Sequence, residues 1–273
     1  ACGKVCRCFP HYKKVTQPMA SANPLNLFAA QSLDRAAPEL ASLFQEETGT
    51  EVIVKLGHSG FLRTEIEGNL PCDIFCSADT GHPKALLTAL KATKGFVYAR
   101  NRLVVVSREE RRFMRSTWLS LLTDPSITIG ISTPNVSPEG DWAKVLFKNV
   151  AKVYRSEPGA SIISQHAIPL VGGNHTAEDL REETAAGFML RHGVDTAVVY
   201  ASDTDRMKKE GLVIYEIPDE VMPEILFGAC HPRSGKCPTK NCDAFAEFLL
   251  SDKAQAVFRK FGFLPPTEKS VKL

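Results

Sequence analysis

Two serines stand where chemistry is conceivable. Ser32 follows the stretch Leu25-Asn26-Leu27-Phe28-Ala29-Ala30-Gln31, and Ser59 follows Val52-Ile53-Val54-Lys55-Leu56-Gly57-His58. Beyond Ser32 the apolar residues fall at Leu33, Ala36, Ala37, Leu40, Leu43 and Phe44, the spacing of a helix with one buried face. That spacing puts Ser32 at the N-cap, its hydroxyl pointing the same way as the free amides of the first turn. Ser59 opens a second helix, carrying Leu62 and Ile66 and stopped at Gly68. Read alone, Ser32 is a capping serine. Two strand–serine–helix units in succession would instead bring two helix starts together at the carboxyl ends of parallel strands. Helix starts seat anions, and open α/β sheets take their ligands at that edge. Gly57 and Gly60 let a ligand approach the backbone beside Ser59. The competing chemistry is nucleophilic, since Ser32, Ser59, His58 and Asp79 include the residue types of a triad. Neither serine sits in a G-x-S-x-G elbow, which favours binding over hydrolysis.

Eight cysteines fall in three groups, Cys2/Cys6/Cys8, Cys72/Cys76 and Cys230/Cys237/Cys242. Disulfides in an oxidising compartment, free thiols and a soft-metal site for the first trio all remain open, and no pairing follows from sequence. Cys76, inside an expected strand, reads as a small buried hydrophobe. The formal net charge is +2, which gives no field for nucleic acid. No apolar run approaches the roughly 20 residues of a membrane helix. Residues 1–23 lack the apolar core of a signal peptide and read as a basic, Cys-rich, loosely ordered tail.

The elements that must position the serines alternate. Strands are expected at Leu25–Phe28, Val52–Leu56, Asp73–Asp79, Leu103–Val106, Ile127–Ile131, Ala197–Tyr200 and Leu212–Tyr215. Helices are expected after both serines and at Pro83–Leu90, Trp118–Leu122, Asp141–Val150, Glu178–His192 and Asp243–Phe261, with Gly193 stopping the sixth of these seven. Residues 156–176 fit neither pattern. The alternation predicts an α/β protein with largely parallel sheets.

Five segments, in order and spacing, resemble the molybdate-binding proteins of ABC transporters. Phe28-Ala29-Ala30-Gln31-Ser32-Leu33 resembles their FAAxSL opening, and Pro71 to Asp79 resembles PADxFxSAD. Asn101 to Val106 resembles NxLVVV, Val199 to Asp203 resembles VYxSDA, and Leu250 to Phe263 resembles SPxAQxxFxxxGF. The resemblance covers about residues 24–264. It implies a type II periplasmic-binding-protein fold, with two α/β lobes joined by two crossover segments and the ligand in the cleft. One lobe would be 24–105 plus 222–273, the other 106–221.

The resemblance also implies a site. Ser32 and Ser59 would donate hydroxyl and amide, Tyr200 its phenol, and Glu139 and Glu182 their backbone amides, to molybdate or tungstate. No catalytic residue, bound metal or cofactor is implied. Partners would be the oxyanion and a membrane permease, with the protein monomeric and working in the periplasm or outside the membrane. Glu139, in the segment Pro134 to Gly140 that resembles PxxVPAG with one residue inserted, and Glu182 stand where the family has small or apolar residues. A carboxylate facing a dianion repels it, so both side chains are expected to turn outward to solvent. The alternative is that one ligates the metal centre of the oxyanion, as carboxylates do in archaeal tungstate/molybdate relatives. Alternatives for the whole chain are a sulfate- or other oxyanion-binding protein of the same fold, an oxyanion-sensing domain, and a serine-dependent hydrolase.

Overall fold

The computed structural model describes residues 23–171, 189, 191–267 and 273. The expected tail, apart from Asn23, lies outside the described residues, as do Glu182 and most of the helix expected over Glu178–His192. Gly193 has φ +63, the left-handed conformation expected of a helix stop.

The described strands are β1 (Leu25–Ala30), β2 (Val52–Gly57), β3 (Ile74–Cys76), β4 (Ala92–Asn101), β5 (Leu103–Arg108), β6 (Ile129–Ser132), β7 (Ala167–Val171), β8 (Thr196–Tyr200), β9 (Leu212–Glu216) and β10 (Ile225–Pro232). They form two five-stranded sheets, ordered β2-β1-β3-β10-β4 and β7-β6-β8-β5-β9. Each sheet is mixed rather than largely parallel. β1, β2 and β3 run parallel, while β10 runs antiparallel to β3 and β4. β6, β7 and β8 run parallel, while β5 runs antiparallel to β8 and β9. The antiparallel strands are those next to the two chain crossings, Arg102 between β4 and β5, and residues 217–224 between β9 and β10. A boundary at residue 105 would cut β5, which lies whole in the second sheet.

The first helix begins later than the periodicity implies. Gln31–Leu33 is a single 3₁₀ turn, and α1 runs Ala36–Thr48. Pro38 explains the difference: a helix from Ser32 would carry a proline in its second turn, where its missing N–H and its ring break the ladder. From Ala36, Pro38 falls in the first turn, where no N–H is needed. α2 runs Ser59–Glu67 and stops at Gly68, as expected. α3 (Gly81–Thr88), α4 (Trp118–Thr123) and α5 (Pro138–Val153) follow. The helix expected over Asp243–Phe261 is two, Thr239–Leu250 and Asp252–Lys260. Ser251 is extended between them, its hydroxyl accepting the Ala254 amide at 3.3 Å. A serine followed by Asp252 is a helix start inside an apolar periodicity, and the cap wins.

Buried polar side chains tie the C-terminal return to the first sheet. Asp73, 2% exposed, accepts the Asn26 amide at 2.7 Å through one oxygen. Its other oxygen accepts the amides of Lys236 at 2.6 Å and Cys237 at 2.7 Å. Gln255 donates to the carbonyls of Tyr98 at 2.9 Å and Leu249 at 2.8 Å. Around these bonds Phe44 of α1 stacks edge-on against Phe245, ring centroids 4.9 Å apart. Cys72, Cys76, Cys230, Cys237 and Cys242 are free thiols, and Cys76 is buried as expected. Among the described residues no helix is long and apolar enough to cross a membrane, and no three His, Cys, Asp or Glu side chains form a metal cluster.

Candidate functional site

Strand register brings the sequence-predicted residues of the first sheet together. Ala30 pairs with Gly57, and Ala29 with Cys76. Ser32 and Ser59 therefore each lie two residues beyond an aligned pair, and Ala78 two beyond Cys76, whose register is one position earlier, all at the carboxyl edge of the parallel trio. Ser59, 1% exposed at the first position of α2, accepts the Ala78 amide on Oγ at 3.2 Å, which leaves its own proton free to donate. The Ser32 Oγ is buried and makes no hydrogen bond. Ser32 does not cap its helix: no side-chain cap bond forms at Gln31–Leu33.

Tyr200 comes from the other sheet. It ends β8, 2% exposed, and its phenol donates to the Ala78 carbonyl at 3.3 Å. Its ring lies against Phe227, centroids 5.4 Å apart. Burial pushes the phenol well above its ordinary value, so it is a neutral donor. The two peptide groups of Ala78 thus connect Ser59 with Tyr200. Sequence reasoning missed Ala78 as a hub, although it lies in the SAD portion of a matched segment.

Further contacts hold the two sheets' units against each other. Arg35 donates to the Ser202 carbonyl and lies 3.9 Å from the Asp203 carboxylate. Arg206 lies 3.7 Å from Asp34. Asn101 donates to the Ser202 hydroxyl at 3.0 Å. A Cβ on Gly60 would stand 3.4 Å from the Val136 carbonyl, so α2 approaches the turn before α5 at backbone distance. Arg102 fixes one crossing to the other through the Ile217 carbonyl at 2.9 Å and through Asp219.

Glu139 corrects an expectation. Its side chain turns inward rather than out to solvent. Oε1 accepts the Tyr200 amide at 2.6 Å, and Oε2 accepts the Ser132 hydroxyl. The reason is local packing. Pro138 starts α5, and a Cβ on Gly140 would stand 2.0 Å from the Ser132 carbonyl, so the helix start is pressed onto the end of β6. Glu139 in that first turn meets the β6 and β8 strand ends, where polar donors are at hand. Burial pushes its carboxyl up to about 7, and burial likewise pushes Asp203 up to about 6. Ser132 as its partner was not legible from sequence. Glu182 lies outside the described residues.

The nucleophilic alternative finds no support. The Ser59 Oγ is bonded to a backbone amide, not to His58, whose Nε2 is buried without a hydrogen bond. Asp79 accepts from the Ser77 hydroxyl at 2.7 Å and the His82 amide at 3.2 Å, at the start of α3. Burial holds His58 and His82 below their ordinary value, so neither contributes a cation near neutral pH.

Comparison with known proteins agrees with this geometry. The family described as "Bacterial extracellular solute-binding protein" matches residues 25–264. The molybdate-binding protein ModA of Escherichia coli is 26% identical over 259 residues, covering 90% of each chain. Among solved structures, the periplasmic molybdate-binding protein of Azotobacter vinelandii superposes with TM-score 0.68 at 19% identity, covering 89% of this chain and all of that one. The sulfate-binding protein SubI of Mycobacterium tuberculosis superposes with TM-score 0.72 at 16% identity, covering 90% and 88%. The fold is that of periplasmic binding proteins, and these relatives are solute binders, not hydrolases.

Proposed function

This chain belongs to the bacterial extracellular solute-binding protein family, and on that premise we propose that it binds a tetrahedral oxyanion, molybdate or tungstate ahead of sulfate, and delivers it to an ABC-type permease. The observation that carries the proposal is Ser32. Its hydroxyl is buried without a partner, two residues past a strand position aligned with that of Ser59. An unsatisfied buried hydroxyl costs about 1–3 kcal/mol, and an oxyanion between the two serines would recover it.

The proposed donors are neutral: the hydroxyls of Ser32 and Ser59, the phenol of Tyr200, and the Glu139 and Glu182 backbone amides. Fixed neutral donors discriminate by fit. A smaller oxyanion that cannot reach all of them at about 2.9 Å leaves some buried and unpaired. The contacts of Arg35, Arg206 and Tyr200 across the two units supply a closed state, and closure around a ligand is what a permease would read. In this reading the protein works as a monomer on the outer side of the cytoplasmic membrane, carrying cargo and needing no cofactor. Titration calorimetry with molybdate tests it. One ion bound per chain is expected; no binding heat, with sulfate or citrate binding instead, would overturn the assignment.

A further inference from the structure

The Glu139 carboxyl sits one residue's length from a proposed donor. It holds the amide of Tyr200, whose phenol reaches Ala78. Its two contacts come from neutral groups, the Tyr200 amide and the Ser132 hydroxyl, and among the described residues no basic side chain forms an ion pair with it. Two charged groups act on it directly, and they oppose each other. Asp203 in the turn after β8 raises its carboxyl and Arg206 of the helix Thr204–Lys209 lowers it, while Asp141 of α5 acts on the neighbouring Tyr200. From the first unit Asp79 acts on Tyr200, and Asp34 and Arg35 act on Asp203. Both arginines are already engaged, Arg35 by Asp203 and Arg206 by Asp34 and Asp203. A buried carboxylate in such surroundings has little to offset its charge.

We propose that Glu139 makes oxyanion binding proton-linked: a dianion enters with the Glu139 carboxyl neutral, so that above neutrality each bound ion brings one proton from solvent onto Glu139. The inference rests on the oxyanion-binding role proposed above. The hydrogen bonds permit both protonation states. With the proton on Oε2, the carboxyl donates to the Ser132 oxygen instead of accepting from it, and Oε1 still accepts the Tyr200 amide. The pair of contacts survives and only the charge changes. Burial has already brought the carboxyl to about 7 before a ligand arrives. A dianion nearby raises it further, by about 1–3 units for a like charge a few ångströms away.

The test is calorimetric titration of molybdate at about pH 6, 7 and 8.5, in pairs of buffers of different ionisation enthalpy to count protons. For the wild type the affinity should fall at least tenfold across this range, with proton uptake per ion rising towards one. Glu139→Gln keeps an acceptor for the Tyr200 amide and a donor for Ser132 but cannot titrate. It should bind with an affinity that varies less than about twofold over the range and take up no proton. A wild-type affinity independent of pH, or a slope and proton uptake that persist in Glu139→Gln, would overturn the proposal while leaving oxyanion binding intact. The proton count on the wild type decides alone if the variant does not fold. Failure of the wild type to bind molybdate at every pH would overturn both.

Discussion

The Tyr200 hydroxyl donates to the Ala78 carbonyl at 3.3 Å, from the end of β8 in one sheet to the turn beyond β3 in the other. The Ala78 amide is held in turn by Ser59. A single residue therefore joins the proposed donors of the two units. An oxyanion would compete for the phenol, which must swing from Ala78 to the ligand. Tyr200→Phe keeps the ring on Phe227 and removes only the donor. It should weaken molybdate binding by about 1.5–3 kcal/mol, as for a hydrogen bond to a charged group, and lower the unfolding free energy by no more than about 1 kcal/mol. Calorimetry and urea denaturation measure the two separately.

Ser32 and Ser59 should respond differently to alanine. Ser32→Ala removes a hydroxyl that has no partner, so affinity should fall about tenfold to a hundredfold with stability unchanged or slightly raised. Ser59→Ala also strands the Ala78 amide, so stability should drop by about 1–3 kcal/mol along with affinity. Equal stability of the two variants in urea would contradict this division of roles.

Much of this pair was legible in the sequence, for a physical reason: a strand, a serine and an apolar helix periodicity lie within a dozen residues, so local pattern suffices. The start of α1 was misplaced because periodicity does not register that Pro38 forbids a helix beginning at Ser32. β4 and β10 were not anticipated. β4 carries Lys94 at positive φ and Gly95, and β10 pairs with it through two register shifts, so neither shows clean alternation. Glu139 was the largest departure. Solvent is the ordinary place for a glutamate, and the polar strand ends that draw it inward come from Ser132 and Tyr200, seven and sixty-one residues away. Only the assembled sheet puts them there.

The inward glutamate has a consequence for the ligand-free protein. Its folded-state carboxyl is raised from 4.5 to about 7, so the folded state holds the proton more tightly than the unfolded chain. The stability this provides is fully present below about pH 4.5 and is lost as pH rises to about 7, by up to about 1.4 kcal/mol per pH unit. Glu139→Gln removes the dependence. The difference in unfolding free energy between the variant and the wild type should therefore grow from pH 5 to pH 7 and level off above. The raised carboxyl of Asp203 acts in the same direction in both proteins, and only the part of it that comes from its interaction with Glu139 stays in the difference.

Gly140 is held to its type by space. A Cβ there would stand 2.0 Å from the Ser132 carbonyl and 2.9 Å from the Pro134 nitrogen, both backbone atoms. Gly140→Ala must push α5 off β6, and a cost of about 1–3 kcal/mol or more is expected. The same shift pulls Glu139 from Tyr200, so molybdate affinity should change as well. A variant with wild-type urea midpoint and affinity would show that the helix start is free to move.

The central claim is that neutral donors at the carboxyl edge of β1–β3, closed by Tyr200, hold a tetrahedral oxyanion selected by fit. The direct measurement is a thermal-shift panel of molybdate, tungstate, sulfate and phosphate at equal concentration. A ligand at about a hundred times its dissociation constant stabilises the native state by about 2.7 kcal/mol, which for a chain of this size raises Tm by several degrees. Molybdate and tungstate should each give that rise, with sulfate and phosphate giving little. A rise with sulfate equal to that with molybdate would contradict selection by fit, and no rise with any of the four would contradict the oxyanion site itself.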